Sequence, residues 1–165
     1  MLEEKFYAAW PDFFEIIAEI EWCSPKPYDL LISGGVPEDA KAYLYSIVGY
    51  SDKEWWPYYI GKTFQKFVST RIQQPDHKQR LRSLKENYPD LDFTVTLGTP
   101  TFHVSRATKN NIDAIEGLLI YGNWHEEMWN ERKINDFAHA KQMHVRNVGW
   151  VEHLVAELSY GVFWQ

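Results

Sequence analysis

An α+β domain is predicted, with a small central antiparallel or mixed three-stranded sheet flanked by helices and with helical extensions at both ends. Three observations predict it. Leu91-Asp92-Phe93-Thr94-Val95-Thr96-Leu97 alternates apolar and polar residues, the period of a strand with one face buried and one wet. Residues 42–49 and 58–61 are rich in tyrosine, isoleucine and valine and are joined by a short polar turn, which suits an antiparallel hairpin. Between Asn111 and Tyr121 the apolar residues recur at helical spacing, so the sheet has at least one covering helix.

Taken in order, the chain begins with Phe6, Phe13, Phe14, Ile17 and Ile20, a spacing that fits a helix better than a strand. Pro11 separates a lead-in, and Asp12 is a fair first residue for that helix. Ser24–Asp29 and Ser33–Pro37 read as loops. This arm, residues 1–40, is expected to cover the central domain, residues 41–135. Within residues 42–49, Tyr43, Tyr45 and Ile47 are set to face one side and Leu44, Ser46 and Val48 the other. Thr63 is a candidate N-cap for a helix carrying Phe64, Phe67, Val68 and Ile72. Pro75 interrupts that helix and opens another to about Glu86, with Leu81 and Leu84 inward. Thr108 or Asn110 starts the helix that ends near Gly122. A C-terminal extension, residues 136–165, is expected to pack on the same core, its Val151, Leu154, Val155 and Leu158 helically spaced.

Composition narrows the function classes. With 165 residues, eight Trp, ten Tyr and nine Phe, the chain can fill one sizeable core. A single cysteine, Cys23, rules out an internal disulfide or a cysteine-rich zinc site. No apolar run approaches the roughly 20 residues that cross a bilayer, and Met1-Leu2-Glu3-Glu4-Lys5 is acidic where a secretory signal is basic; no membrane contact and a cytoplasmic location are the expectation. The net charge of −6 argues weakly against nucleic acid. Yet between Ile60 and Lys85 there are Lys62, Lys66, Arg71, Lys78, Arg80, Arg82 and Lys85 against Asp76 alone. Either the helical part of that run is a solvated face, or it is a nucleic-acid-binding surface built from His77, Lys78, Arg80, Arg82 and Lys85.

Two charges fall where apolar residues belong. On the helix from Asn111 to Tyr121, Glu116 lies inside the arc of Ile112, Ile115, Leu118, Leu119 and Ile120. A carboxylate there needs a cation, a hydrogen-bond donor or a metal. Arg71 falls in the same way between Phe67 and Phe64 on the earlier helix. The two charges either neutralise each other in a structural pair or frame a cleft in which the carboxylate binds a hard divalent ion and the guanidinium a phosphate oxygen. Tyr45 and Tyr59 add two phenols on adjacent strands. With Lys62 they complete a set able to activate water and absorb charge on phosphorus.

In this order, Tyr43-Leu44-Tyr45, then Tyr59-Ile60-Gly61-Lys62-Thr63, then Arg71, then Glu116 in Ile115-Glu116-Gly117-Leu118-Leu119-Ile120, then Asn130, the residues resemble the GIY-YIG nuclease superfamily. The resemblance spans about residues 42–135. Tyr43 and Leu44 stand where glycine and isoleucine are usual, and Arg71 lies about two residues later than the shortest family spacing. The resemblance implies Tyr45 as the phenol that activates water and Tyr59 as its partner in positioning water or phosphate. It further implies Arg71 as the stabiliser of the transition state, Lys62 as a phosphate contact or a depressor of the phenol's pKa, and Glu116 as the ligand of Mg²⁺ or Mn²⁺. Asn130 would be the late asparagine that supports the site, with Asn135 as the competing assignment. His77 would bind phosphate or assist proton transfer, or else be an exposed, idle side chain. The function expected is metal-dependent hydrolysis of DNA phosphodiester bonds, in a protein that acts alone, as a homo-oligomer or with a targeting partner. The alternative is a catalytically inactive relative that binds nucleic acid or an acidic protein.

Overall fold

The computed structural model describes residues 14–130 and 141–161. Six strands, β1 (Ile16–Trp22), β2 (Leu44–Ser51), β3 (Glu54–Lys62), β4 (Thr94–Val104), β5 (Met143–Gly149) and β6 (Glu157–Tyr160), form one sheet in the order β3-β2-β4-β1-β5-β6. Neighbours run antiparallel except β1 and β5, which are parallel. The helices are α1 (Tyr28–Ile32), α2 (Val68–Ile72), α3 (Pro75–Asn87) and α4 (Lys109–Asn123), with a 3₁₀ turn at Pro37–Ala40.

The three-stranded sheet expected from the sequence is therefore corrected to six strands. Its three members are present as β3-β2-β4, one half of the sheet, and the expected helical extensions supply the other half. Ile16, Ala18, Ile20 and Trp22 alternate with Ile17, Glu19 and Glu21, and the first four enter the core. The same run satisfies helical spacing over a few residues, but its three isoleucines and one tryptophan favour an extended strand once β4 and β5 offer hydrogen bonds on both sides. Phe6 and Phe13 lie outside the described residues. At the other end Leu158 pairs with Val145 in β6 rather than continuing a helix. It packs on Gly122 of α4, where an added methyl would stand 2.6 Å from Leu158 Cδ2. Gly122, expected as a helix stop, is thus a packing surface, and α4 continues to Asn123.

The pleat divides the core. On one face Ile16, Ile20, Leu44, Ile60, Met143 and Val145 meet Ile112, Ile115 and Leu119 of α4. The opposite face carries Tyr45, Val95 and Leu97 against Leu31, Val68 and Ile72 of α1 and α2, and farther along Ile47, Tyr58 and Phe93 against Leu84 of α3. Each such aliphatic side chain contributes about 1.5–3 kcal/mol when taken fully from water, so α4, buried through most of its length, is held chiefly by its apolar arc. Thr108 caps it as expected, its side chain accepting from Asn111 N at 3.1 Å. Among the described residues no helix is long and apolar enough to cross a membrane.

Candidate active site

β3 is an edge strand, and α3 and α4 cover opposite faces of the sheet beside it. Around that edge lies a cleft of about 470 Å³ whose walls include Tyr45, Tyr59, Lys62, Arg71, Glu116 and Asn130. All six residues singled out as a catalytic set therefore meet in one place. Asp76, Arg80 and Asp113 join them.

The tyrosines are placed by strand register. Tyr45 pairs with Gly61, and Ile47 with Tyr59, on the α2–α3 side. A methyl on Gly61 would overlap Tyr45 Cζ and stand 2.5 Å from its hydroxyl and 2.8 Å from Tyr59 Cε1. Glycine is thus required so that both rings can close over the β3 backbone, a packing reason for Tyr59-Ile60-Gly61. The Tyr45 hydroxyl lies 2.9 Å from His77 Nε2. Burial first, then the neighbouring Tyr59 phenol, holds that hydroxyl well above the usual tyrosine range, while Arg71 and Arg80 pull the other way. Tyr59 is raised for the same leading reason.

His77 is neither an exposed idle side chain nor a surface contact, since it is buried behind Tyr45. Burial, then the charges of Arg71 and Arg80, lowers its pKa to about 4, so the ring is neutral at neutral pH. Arg80, expected with the surface cations, turns inward. Its guanidinium sits 4.2 Å from the centre of the Tyr59 ring and reaches His77 Nδ1 at 3.0 Å. The other basic residues of α3 do not follow. At 100° per residue Lys78 and Arg82 point about 160° away from Arg80, and Lys85 about 140°; all three are exposed.

Arg71 reaches the cleft by a route other than the one expected. No helix starts at Thr63: residues 63–67 are irregular, with Gln65 at a φ of 55°, Phe64 stacks on Tyr43 and Phe67 is exposed. α2 begins at Val68, and its cap comes from the N-terminal arm. Asp39 Oδ1 accepts from Val68 N at 2.6 Å and from Ser69 N at 3.2 Å, satisfying donors that the helix itself leaves open. At the far end the Tyr28 hydroxyl donates to Ile72 O at 3.0 Å. With Val68 and Ile72 inward, Arg71 is carried to the cleft side. There it donates to both carboxylate oxygens of Asp76, at 3.2 and 3.1 Å, and to Gln74 Oε1. The Arg71 hydrogen bond holds the Asp76 carboxyl below its usual range.

Glu116 keeps the inward phase read from the sequence and is buried. Its Oε2 lies 3.5 Å from Lys62 Nζ, which also contacts Asp113 Oδ1. Arg71 and Glu116 thus have separate partners, Asp76 and Lys62, instead of neutralising each other. Lys62 is engaged by α4 carboxylates, and the cations that draw the Tyr45 pKa down are Arg71 and Arg80. Among the described residues no group of three or more His, Cys, Asp or Glu is placed to hold a metal. The donor set nevertheless fits Mg²⁺ or Mn²⁺: Glu116 and Asp113 stand one turn apart with hard oxygens, already turned toward a cation, and magnesium is commonly held by one or two carboxylates with water and phosphate completing its shell.

Asn130 acts on the backbone. Its Oδ1 accepts from Ile60 N at 3.0 Å and its Nδ2 donates to Ile60 O at 2.7 Å, while Trp129 N donates to Tyr58 O at 2.7 Å. These bonds close part of the free edge of β3 and hold the strand between Tyr59 and Gly61. Asn135 lies outside the described residues. Asp113 and Asp76 are cleft residues not among those expected from the sequence. Asp113 precedes Glu116 by three residues on the same helix, a spacing that puts both on one face; Asp76 has no comparable local signal.

No family model matches the chain, and no curated protein or solved structure is significantly similar to it.

Proposed function

We propose that this chain is a cytoplasmic, metal-dependent endonuclease of the GIY-YIG type that hydrolyses DNA phosphodiester bonds. The observation that supports it is the convergence of two phenols, three cations and three carboxylates on one cleft of about 470 Å³, with Gly61 and Asn130 serving to place them. In this reading Tyr45, in its phenolate form, takes a proton from water as the water oxygen bonds to phosphorus and the bond to the leaving oxygen breaks, the leaving oxygen taking its proton from solvent in the cleft. Arg71 and Arg80 face the charge that develops on the phosphoryl oxygens. A divalent ion on Glu116, with Asp113 beside it, would supply Lewis acidity at phosphorus. Arg71 meets phosphate by exchanging the carboxylate of Asp76, whose side chain is more than half exposed.

Cleavage of supercoiled plasmid or labelled oligonucleotides with Mg²⁺ tests the proposal, beside Glu116→Ala and Arg71→Ala. Both variants are expected to lose at least a hundredfold in rate. Cutting that is undiminished in both would refute the mechanism.

A second reading is favoured by one observation: Lys78, Arg82 and Lys85 form an exposed basic stripe on the side of α3 turned away from the cleft. In that reading the chain is an inactive binding module that holds nucleic acid or an acidic protein on this stripe. Salt-sensitive binding that is indifferent to Mg²⁺, lost in a Lys78/Arg82/Lys85 triple alanine variant and accompanied by no cleavage, would select it.

A further inference from the structure

His77 stands between two groups of unequal hydrogen-bonding capacity. Arg80 Nη1 lies 3.0 Å from Nδ1, and the Tyr45 hydroxyl lies 2.9 Å from Nε2. A guanidinium has five donors and no acceptor, whereas a phenol both donates and accepts. Only one arrangement of a neutral ring satisfies both contacts: Nδ1 accepts from Arg80, and Nε2 carries the hydrogen and donates it to Tyr45. The phenolic oxygen is then the acceptor in this bond, so its own hydrogen turns away from His77. The environment enforces the arrangement. His77 is buried, with the Tyr45 and Tyr59 rings edge-on at 5.7 and 5.5 Å. The Asp76 carboxylate is only at the limit of reach, 4.0 Å from Nε2.

From this geometry we infer that Arg80 is a tautomer lock: it makes His77 a hydrogen-bond donor to Tyr45, and His77 is a positioning residue that stabilises the Tyr45 phenolate rather than a base that takes its proton. The inference rests on the reading of Tyr45 as the water-activating group. During the step the water O–H bond breaks and the new O–H bond forms on Tyr45 Oη. His77 keeps its Nε2 hydrogen throughout, and Nδ1 never becomes protonated while Arg80 is seated. The proton leaves Tyr45 afterwards toward the cleft, the side on which leaving oxygen and solvent are present. Arg80 therefore has two roles that a surface cation would not have: it sits on the face of the Tyr59 ring and it sets the direction of the buried hydrogen bond.

Long-range ¹H–¹⁵N correlation spectra of the histidine rings in the full chain at neutral pH read the tautomer directly, with His77→Gln assigning the resonances. The expected spectrum shows Nε2 in the protonated range and Nδ1 in the unprotonated range. Arg80→Met should move the two nitrogens toward the averaged values of a mixed tautomer, whereas Arg80→Lys, which still offers a donor, should restore the split. A second measurement covers a poorly folding Arg80→Met. Ultraviolet titration of tyrosinate, with Tyr45→Phe identifying the signal, should place the Tyr45 midpoint about one pH unit higher in His77→Leu, and unchanged within half a unit in His77→Gln, whose amide can donate. An Nδ1-protonated neutral ring in the wild-type chain, or a Tyr45 midpoint unmoved by His77→Leu, would overturn the inference. Neither readout requires cleavage, so a failed nuclease assay and a failed tautomer lock are distinguishable.

Discussion

Gly61→Ala perturbs the site through one methyl group. The added carbon would overlap Tyr45 Cζ and stand 2.5 Å from its hydroxyl, whereas ordinary carbon contacts begin near 3.5 Å, so the phenol must retreat by about 1 Å. Tyr45 is 1% exposed and enclosed by Val68, Ile72, Val95 and Leu97, which leaves little room for that retreat. Overpacking of this kind costs about 1–3 kcal/mol. The Tyr45–His77 hydrogen bond, 2.9 Å long, would be stretched beyond useful range, adding about 1 kcal/mol. Urea unfolding followed by tryptophan fluorescence should show a total loss of about 2–4 kcal/mol, with the m-value unchanged. Under the nuclease reading, cleavage below the unfolding transition should fall by about a hundredfold, since a shift of 1 Å in a reacting group has that order of effect. A variant within 0.5 kcal/mol of the wild type in a paired measurement would show that the two rings do not close over β3, and the account of Gly61 would be wrong.

Asn130→Ala removes both hydrogen bonds to Ile60 and leaves a buried backbone N–H without its acceptor. A loss of about 2 kcal/mol is expected, together with faster amide exchange at Ile60, and protection equal to wild type there would refute the role. Acid should destabilise the chain. The pKa values of His77 and His153 are lowered to about 4 and about 3, mainly by burial, and among the described residues neither His153 nitrogen has a hydrogen-bond partner. The unfolded state, with a histidine pKa near 6.5, therefore binds protons first. Stability is full above about pH 6.5 and declines as pH falls toward 4 and then 3, by on the order of 3–5 kcal/mol for each group if fully expressed. Urea midpoints at pH 7 and pH 4.5 check this, and His153→Phe should flatten the decline; equal slopes in the two proteins would sink the assignment to His153. Finally, if Tyr45 is the base, its raised pKa keeps most molecules in the phenol form at neutral pH. The rate at saturating metal should then rise nearly tenfold per unit from pH 7 to 9, and a plateau inside that range would exclude Tyr45 as the titrating group.

Glu116 was legible because α4 is long and regular: fifteen residues hold one phase, so a carboxylate inside the apolar arc stands out. Arg71 was legible as a charge in the wrong place, but by reasoning that the fold does not share. The helix invoked to orient it is absent over residues 63–67, and Asp39 and Tyr28, from the distant arm, orient α2 instead. Arg80 reads as a surface cation, and His77 either as a surface residue or as a phosphate or proton-transfer group, because α3 is polar around most of its circumference. Nothing local distinguishes a cation that faces solvent from one that reaches over a tyrosine on another element. The terminal strands escaped for a related reason: Ile16–Trp22 opens on two adjacent isoleucines, which blurs its alternation, and Glu157–Tyr160 has only four residues, too few for periodicity to separate strand from helix.

By itself the sequence determined the hairpin of Tyr45 and Tyr59, the alternating strand through Val95 and Leu97, and the inward face of α4. Each follows from side-chain period within a single element. Tertiary structure alone decided that the sheet has six strands, that the cleft wraps the edge of β3, and that His77 lies behind Tyr45. Those outcomes depend on pairs far apart in the chain, such as Ile60 with Asn130, seventy residues apart, and Tyr45 with His77, thirty-two apart. Their energies arise only when strand register and helix packing have already brought the partners together, so no local pattern records them.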